Sequence, residues 1–170
     1  MNFINKIVLI ILIGVASCKG KESSKDEPVS SVRSESEINK IKLTDFDDRP
    51  IDLNQYRGKT IFINFWATWC KPCIKEMPSI QRAQDILKNE NVIFLFASDE
   101  TSDEIEEFKA ANDYNFNYVL AQNLVELNIM ALPTTFIFNP EGKLIFSEMG
   151  ARQWDDKSNI DLILKIKNSK

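Results

Sequence analysis

Apolar runs separated by polar turns predict alternating strands and helices from about Ile38 onward. The segment Thr60–Trp66 is almost entirely β-branched and aromatic, which is typical of a central strand that is buried on both faces. After Cys70, apolar residues recur every three or four positions to about Lys88 and predict an amphipathic helix. Pro78 removes one backbone hydrogen bond from that helix and is expected to kink it.

The remaining apolar pattern continues the same alternation. It predicts a strand at Val92–Ala97, a helix at Asp103–Asn112, a strand at Tyr118–Leu120, a short helix near Leu124–Asn128, a hairpin with arms Thr134–Phe138 and Lys143–Phe146, and a closing helix at about Lys157–Asn168. Earlier in the chain, apolar positions on both sides of Asp47–Pro50 predict a short N-terminal β-hairpin. Strands that alternate with helices and end in a hairpin and a helix predict one α/β domain with a mixed sheet.

The first 17 residues have the layout of an export signal. Lys6 precedes an apolar run that starts at Ile7, and small residues lead up to Cys18. The apolar stretch, residues 7–16, is about half of the roughly 20 residues that cross a bilayer, so we expect cleavage rather than a permanent span. Val15–Cys18 resembles the lipobox of bacterial lipoproteins, which implies that Cys18 carries a lipid. The alternative is an ordinary secretory signal that leaves Cys18 as a free thiol.

Residues 18–37 differ in composition from both of their neighbours. They are rich in Ser and in charges of both signs, contain Pro28 and have few apolar side chains. Such a segment cannot bury enough apolar surface to fold. We therefore expect a signal peptide at residues 1–17, a flexible membrane tether at 18–37 and one folded domain at 38–170, held at the membrane by the lipid.

The composition limits the chemistry that the domain can perform. The chain has 21 Lys and Arg against 25 Asp and Glu, a formal net charge of -4, and no basic stripe that would fit a nucleic acid. It has no His, which excludes Ser-His-Asp and Cys-His catalysis, His-ligated metals and haem attachment through C-x-x-C-H. Any reaction must therefore use thiols, carboxylates, amines or hydroxyls.

The motif Cys70-Lys71-Pro72-Cys73 lies where a predicted strand meets a predicted helix. Helix N-termini carry unpaired N–H groups and a partial positive charge, and both stabilise a thiolate. Cys70 is then the attacking sulfur, and Cys73, further into the helix, resolves the mixed disulfide. Lys71 adds a positive charge that favours the thiolate, and Pro72 fits the first turn because an N–H there has no partner within the helix.

Two structural explanations compete with redox chemistry at this pair. A four-thiolate zinc site needs two further sulfurs, and none remains once Cys18 is assigned to the lipid. A structural disulfide across two residues closes too short a loop to add much stability. The motif therefore favours a redox-active pair that needs no metal and no cofactor.

Several motifs together resemble a known family. Asn64-Phe65-Trp66-Ala67-Thr68-Trp69-Cys70-Lys71-Pro72-Cys73, then Glu76 and Pro78, and later Leu132–Phe136 occur in the order found in the thioredoxin fold. Within it, the chain is similar to the TlpA/ResA-like class of envelope thiol-disulfide oxidoreductases, which are redoxins of the AhpC/TSA type. The resemblance covers about residues 38–170. It implies a three-layer α/β/α sandwich with a mixed central sheet, an N-terminal β-hairpin and a central strand-helix insertion between Cys73 and Pro133.

The resemblance also implies a substrate site. The bond between Leu132 and Pro133 is expected to be cis, which would place the Leu132 backbone beside Cys70, where it can pair with an extended substrate. The alternative for a lone Leu-Pro is a trans bond in a loop, and the strand that Thr134-Thr135-Phe136 begins immediately afterwards argues against it. Thr134, where a strand begins, and Trp69, which shields the thiol, are expected to complete this site.

Glu76 lies three residues after Cys73 on the same helical face. By resemblance, it relays the Cys73 proton or tunes the thiols; the alternative is an acid that complements the helix dipole. Asn64 stands where classical thioredoxin has an acid, and an amide cannot accept this proton, which strengthens the case for Glu76. Trp154 is expected to pack within the domain, with partner binding as the alternative, and Phe65 and Trp66 are expected in the core.

These residues and the resemblance predict an enzyme of the bacterial cell envelope that exchanges dithiol for disulfide with protein substrates, with reduction as the expected direction. An oxidising compartment supplies no reducing thiol pool, so a membrane electron donor is an expected partner. One alternative is a peroxiredoxin-like peroxidase, but Ile63 and Ala67 occupy the positions of its Pro and its Thr or Ser. Another is a redox-inert binding module. A copper carrier would resemble C-x-x-x-C with a distal His, and this chain has neither.

Overall fold

The computed structural model describes residues 36–169, so the predicted signal peptide, Cys18 and most of the tether lie outside the described residues. The described part contains strands β1 (Leu43–Thr44), β2 (Thr60–Phe65), β3 (Val92–Ser98), β4 (Tyr118–Ala121), β5 (Thr134–Phe138) and β6 (Leu144–Met149), helices α1 (Lys71–Ile86), α2 (Ser102–Ala111) and α3 (Lys157–Lys167), and 3-10 helices at Glu37–Lys40 and Leu53–Tyr56. Among these residues, no helix is long and apolar enough to cross a membrane.

The strands form one mixed sheet in the order β1-β4-β3-β2-β5-β6. β2 pairs in parallel with β3, and β3 pairs in parallel with β4, whereas the other three pairs are antiparallel. β2 lies between β3 and β5 and is buried along its whole length, as its nearly unbroken apolar run predicts. The pairing of Phe65 with Thr134 brings the end of β2 next to the start of β5.

All three α-helices pack against one face of this sheet. Met77 of α1, Ile105 of α2 and Ile163 of α3 share an apolar core with Phe62 of β2. On the opposite face, a second core is covered by the 3-10 helices and by side chains of residues 124–132. The predicted sandwich is therefore present, but its third layer consists of 3-10 helices and turns in place of α-helices.

The short helix predicted near Leu124–Asn128 is wrong, because these residues form turns. The Asn123 side chain binds the segment before β1, accepting from the Lys42 N–H at 3.0 Å and donating to the Lys40 carbonyl at 2.9 Å. Asn128 then adopts a left-handed conformation with φ of 55°, which a continuing helix does not allow. Tertiary bonds and one backbone turn thus replace the expected helix.

The predicted N-terminal hairpin has only one regular arm. Thr44 of β1 forms an isolated antiparallel bridge with Pro50, after which the chain enters the 3-10 helix at Leu53. Pro50 cannot donate to a strand ladder, and Asp52 caps the 3-10 helix through its side chain. The second arm therefore ends after one bridge.

The folded domain begins earlier than predicted. Ser36 Oγ donates to the Gly142 carbonyl at 2.8 Å, and Glu37 Oε2 accepts from the Leu144 N–H at 3.0 Å. Both residues were assigned above to the tether. They bind the β5–β6 hairpin instead, so the domain includes at least Ser36.

The segment between α1 and β5 contains β3, α2 and β4, and α2 and β4 supply the expected additional strand-helix unit. α2 begins with a capping box, in which Thr101 accepts from the Glu104 N–H and the Glu104 carboxylate accepts from the Thr101 N–H. Ile105 is fully buried, whereas Ala111 at the end of α2 is exposed and does not face the core.

Candidate active site

The two cysteines lie at the junction of β2 and α1. They form a disulfide with a Cα–Cα distance of 5.3 Å, and both side chains are buried. Cys70 is the N-cap residue of α1, and its Sγ accepts a hydrogen bond from the Cys73 N–H at 3.3 Å. The start of the helix therefore directs an N–H group at the sulfur that the sequence assigns as the nucleophile.

Lys71 and Pro72 occupy the first two positions of α1 and are both exposed. The first turn of α1 lies wholly within the described residues and contains no acidic residue, so no side-chain charge in it opposes a thiolate. The helix continues through the exposed Pro78 as far as Ile86. The disulfide therefore stands at the positive end of a helix of 16 residues.

The peptide bond between Leu132 and Pro133 is cis, as the resemblance implies. The Pro133 carbonyl accepts from the Gly150 N–H at 2.8 Å, and Thr134 Oγ1 donates to the Ala131 carbonyl at 2.8 Å. Within the described residues, the N–H and carbonyl of Leu132 take part in no backbone hydrogen bond. The pairing of Phe65 with Thr134 brings the residues before β5 to the same end of the sheet as the residues that follow β2, which include the disulfide.

Exposed apolar side chains lie next to the cysteine motif and close to the cis bond along the chain. Trp69, which precedes Cys70, is 70% exposed, and Met130, which precedes the cis bond, is 80% exposed. Phe65 and Trp66 are fully buried, as expected for the core. Trp69 and Met130 are therefore both accessible from solvent.

Glu76 lies one helical turn after Cys73, and it is only 2% exposed. Its carboxylate accepts three hydrogen bonds: Oε1 accepts from Asn64 Nδ2 at 2.8 Å, and Oε2 accepts from the Arg152 N–H at 3.0 Å and from Trp154 Nε1 at 3.2 Å. The donors come from β2 and from the loop between β6 and α3. Glu76 is therefore directed into the domain, which a solvated acid that complements the helix dipole would not be.

Burial raises the pKa of the Glu76 carboxyl above its ordinary value. The hydrogen bonds from Arg152, Asn64 and Trp154 favour the charged form and oppose this effect only in part. A carboxyl group shifted in this direction holds a proton at a higher pH than an ordinary acid does. The environment of Glu76 thus suits proton transfer.

The partners of Glu76 are the residues that sequence reasoning missed. Ser79 accepts from the Trp154 N–H at 3.0 Å and donates to the Glu76 carbonyl at 2.7 Å, which fastens the loop to α1. Trp154 is fully buried, as predicted. Its contact with Glu76 joins residues 78 positions apart, and no local sequence pattern indicates it. Asn64, a polar residue within an apolar strand, was the one indication, and it also donates to Thr135 Oγ1 at 3.1 Å.

A second acid holds the loop that carries Trp69. Glu100 Oε1 accepts from Thr68 Oγ1 at 2.6 Å, and Oε2 accepts from the Thr68 N–H at 2.7 Å and from Ser98 Oγ at 2.9 Å. Thr68 follows β2 and Ser98 ends β3. The carboxylate therefore joins the ends of two neighbouring parallel strands just before the disulfide.

Comparison with known proteins agrees with this geometry. The AhpC/TSA family matches residues 35–147. The thiol-disulfide oxidoreductase ResA of Bacillus cereus is 31% identical over 145 residues, which cover 82% of this chain and 82% of that relative. A thiol:disulfide interchange protein from a Bacteroides species has a TM-score of 0.63 at 24% identity, over 76% of this chain and 86% of that one. The exposed lipoprotein thioredoxin of Streptococcus pneumoniae has a TM-score of 0.57 at 23% identity, over 73% and 96% of the two chains.

The two solved structures share the fold of this domain, in which a mixed sheet carries a disulfide at the start of α1. The family match covers more than half of the chain, and the ResA relative extends over most of it. The chain therefore belongs to the AhpC/TSA family and, within it, is a ResA-like thiol-disulfide oxidoreductase.

Proposed function

We propose that the protein reduces disulfides in other proteins outside the cytoplasm, with Cys70 as the attacking sulfur and Cys73 as the resolving sulfur. The observation that carries this proposal is the disulfide at the start of α1, in which Cys70 Sγ accepts a hydrogen bond from the Cys73 N–H. In the dithiol form, the same N–H group and the positive end of the helix dipole stabilise a thiolate on Cys70.

The reaction proceeds by two thiolate attacks. The Cys70 thiolate attacks one sulfur of the substrate disulfide, forms a mixed disulfide with it and releases the other substrate sulfur as a thiolate. Cys73 then loses its proton and attacks Cys70 Sγ, which restores the Cys70–Cys73 disulfide and releases the second substrate sulfur. Two electrons pass from the enzyme dithiol to the substrate disulfide.

Glu76 is the proposed acceptor of the Cys73 proton. It shares a helical face with Cys73, is buried, and has a raised pKa because of that burial. Its carboxylate takes up the proton as Cys73 becomes the attacking thiolate, and the proton then passes to the departing substrate thiolate. Asn64 supports this role as a hydrogen-bond donor, since its Nδ2 holds Glu76 Oε1 at 2.8 Å.

The proposed substrate site is the segment around the cis bond. The N–H and carbonyl of Leu132 can pair with an extended substrate segment, as a strand added to the edge of a sheet does. Pro133 and Thr134 hold the segment in place through the bonds to Gly150 and Ala131. The exposed indole of Trp69 then covers apolar side chains next to the substrate cystine.

We further propose that the domain is anchored in the bacterial envelope by a lipid on Cys18, with residues 1–17 removed and a tether between the lipid and the domain. The support is the lipobox-like sequence before Cys18, together with the lipoprotein named among the proteins that share this fold. Mass spectrometry of the membrane fraction tests this proposal. A chain that begins with acylated Cys18 is expected, and an unmodified Cys18 thiol would contradict it.

Cysteine variants test the order of the two attacks. Cys73→Ser is expected to accumulate mixed disulfides between Cys70 and substrate, because no second thiol is present to release them. Cys70→Ser is expected to lose insulin reduction, while Cys18→Ser, which removes the third cysteine, retains it in a soluble assay. Full insulin reduction by Cys70→Ser would disprove the assignment.

The reduction potential tests the direction of electron flow. Equilibration of the Cys70–Cys73 pair with defined thiol buffers is expected to yield a potential below about -240 mV, the range of reductants. A membrane electron donor must then recharge the pair, since an oxidising compartment contains no reducing thiol pool. A potential above about -180 mV would instead indicate an oxidant or an isomerase.

A further inference from the structure

The loop between β6 and α3 is hydrogen-bonded to α1 at Glu76 and Ser79. Two of the three donors to the Glu76 carboxylate belong to this loop: the Arg152 N–H and Trp154 Nε1 both bind Oε2. Ser79, one turn after Glu76, accepts from the Trp154 N–H at 3.0 Å. The loop and the helix are thus joined at two successive turns of α1, next to the resolving cysteine.

The indole of Trp154 packs against two aromatic side chains. Its ring packs edge-on against Phe62 at 4.7 Å between centroids and against Phe146 at 5.9 Å, with interplanar angles of 87° and 81°. The side chain is fully buried. The direction of its N–H group is therefore set by ring packing against β2 and β6 and by hydrogen bonds to α1.

We propose that Trp154 is a positioning residue for the thiol-disulfide reaction: its indole N–H holds Glu76 Oε2 in place on the face of α1 that carries Cys73. The inference rests on the proton-accepting role proposed above for Glu76. It adds a residue from a distant loop to that role and makes the loop between β6 and α3 part of the reaction machinery.

The groups that face Glu76 from the surrounding elements are mostly uncharged. Asn64 of β2 and Thr135 of β5 are neutral, and Arg152 faces Glu76 through its backbone N–H. The guanidinium of Arg152 is paired with Glu148 at 3.0 Å and lies 5.8 Å from the Trp154 ring centroid. The loss of one neutral donor at Trp154 is therefore the main change that a Phe substitution makes at the carboxylate.

The experiment compares Trp154→Phe with Trp66→Phe. Trp66 is a matched control because it is also fully buried, but no described residue accepts a hydrogen bond from its Nε1. The carboxyl ¹³C resonance of Glu76 is titrated in the oxidised full chain, where neither Cys70 nor Cys73 ionises. Loss of a hydrogen bond to the charged form is expected to raise the Glu76 midpoint by about one pH unit in Trp154→Phe and to leave it unchanged in Trp66→Phe.

The reaction is then followed over the same pH range with the dithiol form. The acid limb of the single-turnover rate for release of the mixed disulfide is expected to move upward with the Glu76 midpoint in Trp154→Phe. An unmoved carboxyl midpoint, or an equal shift in Trp66→Phe, would overturn the role of Trp154. A shifted midpoint with an unshifted rate profile would overturn the proton-accepting role of Glu76 and, with it, the inference.

The wild-type protein supplies a second test if Trp154→Phe does not fold. The ¹H–¹⁵N resonance of Trp154 Nε1 is expected to move with the titration of Glu76, whereas the Trp66 Nε1 resonance stays still. In Glu76→Gln, the movement at Trp154 is expected to vanish. A Trp154 resonance that does not follow the Glu76 midpoint in the wild type would refute the contact.

Discussion

Glu76→Gln is expected to stabilise the domain at neutral and alkaline pH but not in acid. Burial raises the pKa of Glu76 in the folded state, whereas the unfolded chain has the ordinary value of 4.5. Folding therefore favours the protonated carboxyl. The stability that Glu76 contributes is fully present below about pH 4.5 and is lost as the pH rises through the higher folded-state pKa. Gln is neutral throughout this range, so it escapes that loss.

The structure indicates the size of the effect. Glu76 is 2% exposed, and the three hydrogen bonds to its carboxylate offset only part of the cost of burying the charge. A buried polar group whose hydrogen bonds do not fully compensate its loss of water costs about 1–3 kcal/mol. At the lower end of that range, we expect Glu76→Gln to be more stable than the wild type by on the order of 1 kcal/mol at alkaline pH, or roughly 4 °C in Tm. Gln fits the site because Asn64 Oδ1 has no hydrogen-bond partner among the described residues and, after an amide flip, accepts from the Gln side chain.

Urea unfolding of the oxidised protein measures this difference. The free energies of unfolding of wild type and Glu76→Gln are compared at the same series of pH values, from below about pH 4.5 into the alkaline range. Because both proteins are measured at each pH, the effects of the other acids cancel. Asp85→Asn is the control, because Asp85 is an exposed acid on the same helix. A difference in stability between wild type and Glu76→Gln that is independent of pH, or a Gln variant that loses stability relative to the wild type as the pH rises, would refute the reasoning.

Three further substitutions test the packing around the site by urea unfolding. Met77→Ala empties a fully buried position of α1 and is expected to cost about 2–5 kcal/mol, against about 0.5 kcal/mol or less for Ile86→Ala at the exposed end of that helix. Thr101→Ala removes the cap of α2 and is expected to cost about 1 kcal/mol, and a change below the error of the measurement would contradict the capping box. Glu100→Ala leaves the Thr68 N–H without its acceptor and is expected to cost about 1–3 kcal/mol. It is also expected to alter the fluorescence of the neighbouring Trp69. Unchanged emission would show that the Glu100 carboxylate does not hold the loop.

Local patterns were sufficient for the elements that carry the disulfide. The apolar run of β2, the helical spacing after Cys70 and the turn between β5 and β6 each reflect interactions within a few residues of the chain. The cysteine spacing then placed the reactive pair at a helix start without any knowledge of the tertiary structure. The cis bond before Pro133 came from a resemblance to a family, since a lone Leu-Pro does not distinguish it from a trans loop.

Local patterns failed where distant segments compete for the same backbone. Apolar residues around Leu124 and Leu127 have helical spacing, but the Asn123 side chain binds the segment before β1 and the chain turns there instead. The prediction also failed at the end of the tether, because Ser36 forms a hydrogen bond with Gly142, 106 positions away in the chain. Periodicity reports which side of an element is apolar and does not report which segment will cover it.

The amino-acid sequence was enough to locate the chemistry of this protein, because the thiol pair, its place at a helix start and the lack of His are all local or compositional features. The surroundings of Glu76 depend on the folded arrangement, because Asn64 reaches that carboxylate from β2, and Arg152 and Trp154 reach it from the loop between β6 and α3. The physical reason is that secondary structure depends on neighbours in the chain, whereas the burial of a charge and its hydrogen-bond partners depend on how the finished layers pack.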